Sequence, residues 1–230
     1  GRRIDYLYKN LGAKKMAFIM SLLVLPDLIE LIMDFQGAKA YIQAKLRDEL
    51  PDTLHYHGFQ HTVDVCNATE KFAQLEGVGT EDTLLLQIAA WFHDSGFLTT
   101  YNNHEAVGID LAQQVLPRFG FSNVQIQKIT GMIAATKIPQ NPQNELEEIL
   151  CDADLAYLGG PRYYPIAESL RKELVDRNLI TEHRQWIEMQ IKFLQTHRYF
   201  TQTAKRLCDQ QKSLRLTELQ QQLQNLEIEG

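Results

Sequence analysis

The feature that most constrains this chain is an apolar run that ends in an ionisable pair. Residues 84–90 are apolar except for Gln87, and His93 and Asp94 follow three positions later. Such a run predicts a helix that is buried on all sides, which places an imidazole and a carboxylate inside the protein. Burying these groups costs free energy unless they are compensated, and a metal cation suits both of them. Because neighbouring side chains on a helix diverge by about 100°, the pair can bracket one ion only at a helix end, which Gly96 supplies.

Helical periodicity dominates the remaining sequence and predicts an all-α protein. No alternating strand pattern of useful length occurs, and the seven prolines cluster in loops. A chain of 230 residues is long enough for one substantial core. We predict helices at roughly 37–50, 59–75, 80–93, 104–119, 123–136, 144–158, 163–177, 182–198 and from 201 onward.

Three parts of the chain differ in pattern. Residues 1–32 are basic and then apolar, but Pro26 interrupts the apolar run before it reaches the roughly 20 residues of a bilayer span. We expect this part to be an N-terminal helical extension that pads the domain or a homodimer interface, with membrane-surface attachment as the alternative. Residues 33–200 form the main domain. Residues 201–230 form a helical tail, in which a leucine stripe from 216 to 226 folds back on the domain or meets a partner chain.

Charge and cysteine content exclude some functions. The net charge of -6 argues against general nucleic-acid binding. The three cysteines, Cys66, Cys151 and Cys208, are far apart in the sequence and form neither a disulfide framework nor a Cys-x-x-Cys site. This pattern predicts a reducing, cytoplasmic location, with Cys66 and Cys151 as small core residues rather than nucleophiles.

Further histidine and aspartate residues occur in an order that resembles a known family. His61 precedes the central pair and Asp154 follows it, each on an apolar helical segment. The order His, His-Asp, Asp resembles the HD superfamily of metal-dependent phosphohydrolases over roughly residues 38–200. The resemblance implies an all-α HD-domain helical bundle that holds a divalent metal ion with His61, His93, Asp94 and Asp154. Nitrogen and oxygen ligands without a thiolate suit manganese, iron, magnesium, nickel or zinc.

Two aspartates compete for the last ligand position. The family's pattern is Ala-Asp followed by an apolar residue or by Arg-Leu, and Asp154 with its neighbours Ala153 and Leu155 fits it. We therefore favour Asp154 as the ligand. Asp152 is then expected to orient a ligand or a neighbouring backbone group.

His57 is the first candidate for a catalytic role outside the ligand set. It lies four residues before His61, which places both on one face if the segment is helical. The pattern Tyr-His-x-x-x-His-Thr resembles the motif of cyclic-nucleotide phosphodiesterases, in which the first histidine protonates the leaving oxygen, although Gly58 replaces their asparagine. We predict that His57 is a general acid or contacts phosphate. The alternative is a structural histidine that caps the loop.

His104 and Lys137 are candidates to bind the substrate's phosphate. His104, Glu105 and Gly108 resemble the His-Pro-x-x-Gly element of two-metal HD proteins, with Glu105 in place of proline. The later paired histidines of those proteins have no counterpart, because residues 134–137 read Ala-Ala-Thr-Lys. We therefore favour a site with one metal ion. The alternative for Lys137 is a solvated surface lysine.

The predicted function is metal-dependent hydrolysis of a phosphate monoester or diester. The resemblance implies a nucleotide or another small phosphorylated metabolite as substrate. In this hypothesis Asp94 both ligates the metal and accepts the proton of the attacking water, and His57 or His104 assists the leaving oxygen. One alternative is a non-catalytic protein that binds a metal and a nucleotide to regulate a partner, but the complete ligand set argues against it. Another is a membrane-associated regulator that uses residues 16–33.

Overall fold

The computed structural model describes residues 33–229 as an all-helical protein, as predicted. The predicted N-terminal extension, residues 1–32, lies outside the described residues. No strand occurs among residues 33–229, and no helix within them has the length and hydrophobicity that a membrane crossing requires. The helices are α1 (Phe35–Glu49), α2 (Phe59–Glu76), α3 (Thr80–Phe92), α4 (His104–Val115), α5 (Asn123–Ala135), α6 (Glu145–Asp154), α7 (Tyr163–Asp176), α8 (His183–Thr196) and α9 (Gln202–Glu229).

Helix α3 lies at the centre of the larger hydrophobic core. Apart from Gln87, its residues from Leu85 to Phe92 are buried. Helices α1, α2, α5 and α6 pack around it. Each fully buried leucine, isoleucine or phenylalanine contributes roughly 1.5–3 kcal/mol relative to exposure, so the apolar run stabilises this arrangement strongly. The C-terminal end of α3, which carries His93 and Asp94, is consequently enclosed by other elements.

A second, smaller hydrophobic cluster joins α7 and α8 to the C-terminal helix. Trp186, Ile187 and Leu194 of α8 are buried in it. The leucine stripe of α9 packs against the same cluster, and Leu219 is buried there. Within the described residues, the stripe therefore folds back on its own chain.

Two helices end earlier than the sequence pattern predicted. Helix α4 ends at Val115 and is followed by a 3₁₀ turn, Leu116–Phe119. Pro117 explains this end, because proline lacks the N–H that would continue the helical hydrogen bonds. Helix α6 ends at Asp154, before the 3₁₀ turn Ala156–Gly159. Asp154 is therefore the last residue of α6. Like His93 and Asp94, which follow α3, it lies at the C-terminal end of a helix.

His197 follows α8 and lies beside a lysine of α9. The Lys212 Nζ atom is 3.3 Å from Nδ1 of His197, and Nε2 of His197 is buried without a hydrogen bond within the described part of the chain. Burial, helped by the positive charge of Lys212, lowers the pKa of His197 from 6.5 to about 4. The folded protein thus keeps this imidazole neutral in a pH range where the unfolded chain protonates it.

We expect His197 to make the protein less stable as the pH falls from 6.5 to about 4. Below its ordinary pKa the unfolded chain binds a proton that the folded chain excludes, so the free energy of unfolding decreases by at most about 3 kcal/mol across this range. Urea unfolding of the wild type and of His197→Gln at several pH values measures the effect. The stability of the wild type relative to the variant should fall on acidification, and a constant difference would contradict the prediction.

Candidate metal centre

The four predicted ligand side chains converge at the C-terminal ends of α3 and α6. The ligand atoms of His61, His93 and Asp154 all lie within 4.8 Å of one another, and the two Nε2 atoms are 3.4 Å apart. Oδ2 of Asp94 lies 3.3 Å from Nε2 of His61 and 3.2 Å from Nε2 of His93. Oδ1 of Asp154 lies 3.2 and 3.6 Å from the same two nitrogens. Two imidazole nitrogens and two carboxylate oxygens therefore share one small volume.

The spacing and bonding of these atoms fit a metal cation. Ligand atoms about 2.0–2.2 Å from a common ion lie roughly 3.0–3.5 Å from their neighbours in the coordination sphere. Oδ2 of Asp94 is buried and makes no hydrogen bond to any of residues 33–229, although two ring nitrogens approach it. A buried carboxylate oxygen without a hydrogen-bond partner is costly, and a cation bound among these four atoms would satisfy it. The residues present thus fit a divalent metal ion.

The carboxylates and imidazoles of the cluster also favour each other's charged forms. Burial alone would lower the pKa of His61, but the carboxylates of Asp154 and Asp94 outweigh it and raise the pKa to about 9. Burial would raise the pKa of Asp154, but the imidazoles of His61 and His93 lower it to about 2. Burial would likewise raise the pKa of Asp94, but the imidazole of His93 above all holds it well below its usual value. Both carboxylates are therefore ionised, as metal ligands must be.

His93 is held in the orientation that a metal ligand requires. Its Nδ1 donates a hydrogen bond to the carbonyl oxygen of Ala90 at 2.7 Å. Ala90 lies in the last turn of α3, so the ring is fixed by its own helix. A neutral imidazole with its proton on Nδ1 carries its lone pair on Nε2, the atom that faces the other three ligands.

Asp152 lies outside the cluster, on a different side of α6. Its Oδ1 accepts a hydrogen bond from the N–H of Phe200 at 2.8 Å. Its Oδ2 accepts hydrogen bonds from the N–H and the hydroxyl of Thr201 at 2.8 and 2.7 Å. Asp152 thus orients the backbone just before α9, and this is one of the two roles expected for it. Asp154, in contrast, is part of the cluster.

His57 lies beside the cluster and is bonded to a buried glutamate. Its Nδ1 donates to Oε1 of Glu173 at 2.6 Å, and its ring stacks on Phe97 with 4.3 Å between centroids. Glu173 also accepts hydrogen bonds from the N–H groups of Tyr56 and His57 and from the hydroxyl of Tyr101. Burial would raise the pKa of Glu173, but these bonds, that of His57 first, lower it to about 2. The ionised Glu173 therefore fixes Nδ1 of His57 as the protonated nitrogen and leaves Nε2 for a ligand.

His57 lies near His61 in the structure, although the two residues do not belong to one helix. Helix α2 begins at Phe59, as predicted, so His57 lies in the loop before it and the two histidines do not share a helix face. The two rings nevertheless lie 6.0 Å apart between centroids. Sequence reasoning missed Glu173, which anchors this loop from α7. The signal that was present is its position on α7, one and three residues from Leu174 and Leu170, where an amphipathic helix turns inward.

His104 meets the cluster through Asp94. Its Nε2 is 3.4 Å from Oδ1 of Asp94, and its ring stacks on Phe97 with 3.9 Å between centroids. Burial lowers the pKa of His104, but Asp94 and Glu105 outweigh it, so the net shift is upward. This favours a protonated imidazole. Phe97, a residue that sequence reasoning did not single out, packs against both candidate catalytic histidines and sets their spacing.

Lys137 lies at the protein surface. Its Nζ donates a hydrogen bond to Oδ1 of Asn103 at 3.0 Å, and it does not line the cavity beside the cluster. Asn103 directly precedes α4, but it has a left-handed backbone, with φ 57°, and its side chain does not cap the helix. The side chain bonds to Lys137 instead. The position of Lys137 agrees with the alternative of a solvated surface lysine.

Two cavities reach the cluster. One, of about 400 Å³, is lined at one end by His57, His104 and both carboxylates of the cluster. The other, of about 540 Å³, is lined by His61 and Asp154. Tyr56 lines both cavities. Small molecules therefore have access to the cluster, and the smaller cavity joins it to the two additional histidines.

Comparison with known proteins identifies the fold. No protein-family model matches this chain, and no curated protein matches it. Among solved structures, the chain is similar to the crystal structure of a predicted HD superfamily hydrolase from an uncultured Thermotogales bacterium. The two are 20% identical, the match covers 89% of this chain and 99% of the other, and the TM-score is 0.53. A likeness at this identity shows a shared fold, and the predicted HD-domain fold is therefore confirmed.

Proposed function

We propose that this protein is a metal-dependent phosphohydrolase that cleaves a phosphate monoester or diester with water. One observation carries the proposal: two imidazole nitrogens lie 3.4 Å apart, and each lies 3.2–3.6 Å from one carboxylate oxygen of Asp94 and one of Asp154, in a buried cluster beside a cavity. Manganese, iron, magnesium, nickel or zinc bound there would polarise a phosphoryl oxygen and lower the pKa of a water molecule. The fold shared with a predicted HD superfamily hydrolase supports the same reaction class.

Asp94 and His104 have different roles at the phosphate in this proposal. Oδ2 of Asp94 belongs to the ligand set, whereas Oδ1 faces His104 at 3.4 Å. In the proposed reaction, Oδ1 accepts the proton of the attacking water. His104, whose pKa is raised by Asp94 against the effect of burial, offers positive charge to the phosphoryl oxygens.

His57 acts as the general acid in this proposal. Its Nδ1 is bonded to Glu173, so the proton that reaches the leaving oxygen comes from Nε2. The buried carboxylate fixes the orientation of the ring through this hydrogen bond, which makes Glu173 a positioning residue that acts through His57. His57 lines the cavity together with Asp94 and His104, so it can reach a bound ester.

Metal removal tests the proposed function directly. The purified protein is treated with a chelator, dialysed and assayed with p-nitrophenyl phosphate and bis(p-nitrophenyl) phosphate. We expect activity to disappear and to return with at least one of the five metals, and metal analysis should give one ion per chain. An unchanged rate in the metal-free protein would overturn the proposal. Two ions per chain would overturn only the assignment of a single metal ion and would leave the proposed function standing.

Glu173→Gln should reduce kcat while leaving metal content unchanged. The amide keeps the shape but offers only one accepting oxygen for the hydrogen bonds that Glu173 receives, so it should orient His57 less well and we expect a loss of about 10- to 100-fold. The loss should be greater for an alkyl phosphate than for p-nitrophenyl phosphate, because an alkoxide needs the proton more. Steady-state kinetics on both esters measure this difference.

A double variant and a neighbouring histidine control this prediction. Glu173→Gln combined with His57→Gln should be no slower than His57→Gln alone, because both changes remove one function. His55 pairs with Asp176 at 2.8 Å and does not line the smaller cavity, so His55→Gln should leave kcat near the wild-type value. Additive losses in the double variant would show that Glu173 does not act through His57.

We also propose a cytoplasmic location. The three cysteines, Cys66, Cys151 and Cys208, are buried free thiols. Free thiols suit a reducing compartment, which supports this location.

A further inference from the structure

The cavity of about 400 Å³ beside the cluster is ionic at one end and apolar along the rest. The ionic end holds His57, His104 and the cluster carboxylates. Beyond it, the walls come from α7, α8 and the residue that follows α6. They consist mainly of aliphatic and aromatic side chains: Leu155, Leu170, Leu174, Met189 and Phe193. A ligand that places a phosphate at the ionic end therefore has its remaining atoms against hydrocarbon.

Cationic side chains are missing from the cavity wall. Among the residues from 33 to 229, no lysine or arginine lines it, and Lys137 is bonded elsewhere. The wall instead includes the acidic Glu105, whose Oε1 lies 3.6 Å from Nε2 of His104. Sites for nucleoside diphosphates and triphosphates supply lysine, arginine or several backbone N–H groups for the additional charges. This cavity has a place for one phosphate group.

Three polar groups along the cavity already have partners. The Gln190 Oε1 accepts a hydrogen bond from the Tyr163 hydroxyl at 2.9 Å. The Tyr101 hydroxyl donates to Glu173, and the Thr136 hydroxyl donates to the carbonyl oxygen of Ile133 in α5. The Gln190 amide nitrogen and the Tyr157 hydroxyl also line this part of the cavity, so few polar groups are left for a ligand. A nucleobase or sugar bound here would replace only part of the hydrogen bonds that it loses to water, which weakens its binding. A hydrocarbon group has no such loss.

We infer that the substrate is a monophosphate ester of an apolar alkyl or aryl group, rather than a nucleotide. The inference rests on the proposed function and narrows it. The phosphate binds at the metal end beside His57 and His104, and the hydrocarbon lies against Leu170, Leu174 and Phe193. Hydrolysis breaks the phosphorus–oxygen bond to the alcohol or phenol, water supplies the new oxygen, and His57 supplies the proton of the released hydroxyl.

Binding of alkylphosphonates tests the inference without turnover, because their carbon–phosphorus bond is not hydrolysed. Titration calorimetry on the manganese-loaded protein compares methylphosphonate with longer n-alkyl chains. We expect the affinity to rise by about threefold per added methylene until the cavity is filled. AMP and ATP should bind more weakly than hexylphosphonate. An affinity that is independent of chain length, or tighter binding of either nucleotide, would overturn the inference.

Two neighbouring residues of α7 provide a matched pair of variants. Leu174 lines the cavity, whereas Val175 is exposed and does not. Leu174→Asn should reduce the gain per methylene and leave methylphosphonate binding unchanged, since the phosphate end is intact. Val175→Asn should keep the wild-type gain. Equal effects of the two changes would overturn the placement of the hydrocarbon on this wall.

Turnover separates this inference from the proposed function. We expect kcat/KM for hexyl phosphate and phenyl phosphate to exceed that for AMP and ATP by at least about tenfold. A preference for AMP or ATP would overturn the inference and leave the hydrolase function standing. Binding that depends on chain length without hydrolysis of any ester, with any of the five metals, would overturn the hydrolase function and support the ligand class.

Discussion

Asp94→Asn should reduce kcat/KM by at least about 10³-fold, because the change removes one charged ligand and the proposed base together. Oδ2 of Asp94 is buried 3.2 and 3.3 Å from the Nε2 atoms of His93 and His61, the proposed imidazole ligands, and makes no hydrogen bond within the described part of the chain. An amide has nearly the same shape but carries no negative charge to hold a cation. Losing about 4 kcal/mol of transition-state stabilisation corresponds to about 10³ in rate.

The measurement combines metal analysis with kinetics. After dialysis, Asp94→Asn should retain much less metal per chain than the wild type. Asp152→Asn is the control, because Asp152 is also a buried aspartate beside the motif but bonds to Thr201 and the backbone of Phe200. It should keep its metal and most of its activity. Retention of metal and activity by Asp94→Asn would contradict the ligand assignment.

Local chemistry explains why most of the fold was predictable from the sequence. Asn144 caps α6 by accepting the N–H of Glu147 at 3.2 Å, and Ser122 caps α5 in a capping box with Gln125. Both bonds join residues three apart, so the sequence alone contains them. The burial of α3 was predictable for the same reason, because its hydrophobicity depends on its own residues.

Contacts between distant residues set the limit of sequence reasoning. Glu173 bonds to His57 across 116 positions, and no local pattern marks either partner for the other. Asn103 shows the reverse, because asparagine directly before a helix commonly caps it, whereas this side chain bonds to Lys137 instead. The apolar run predicted a metal ion at His93 and Asp94, but His61 and Asp154 were added only through a family resemblance, which contains tertiary information that periodicity and capping rules lack.

Gly96→Ala should destabilise the protein by about 2–4 kcal/mol and disturb the site as well. A Cβ atom at this position would lie 1.9 Å from the carbonyl oxygen of His104 and 2.6 Å from its carbonyl carbon. Both are backbone atoms, so no side-chain rotation relieves the clash and α4 must move away from the end of α3. Gly96 was predicted to supply a helix end, whereas in the structure it lets the backbone that follows α3 approach the backbone of α4.

Gly79→Ala is the matched control, because Gly79 directly precedes α3, the helix that ends shortly before Gly96. A Cβ there meets no atom within 4 Å, and its φ of -66° is ordinary for any residue, so the cost should be no more than about 1 kcal/mol. Urea unfolding compares the two variants, and kcat reports whether His104 still faces Asp94. Because the contact at Gly96 fixes the start of α4, equal stability of the two variants would mean that α4 does not pack there. The proposed position of His104 beside the phosphate would then be wrong as well.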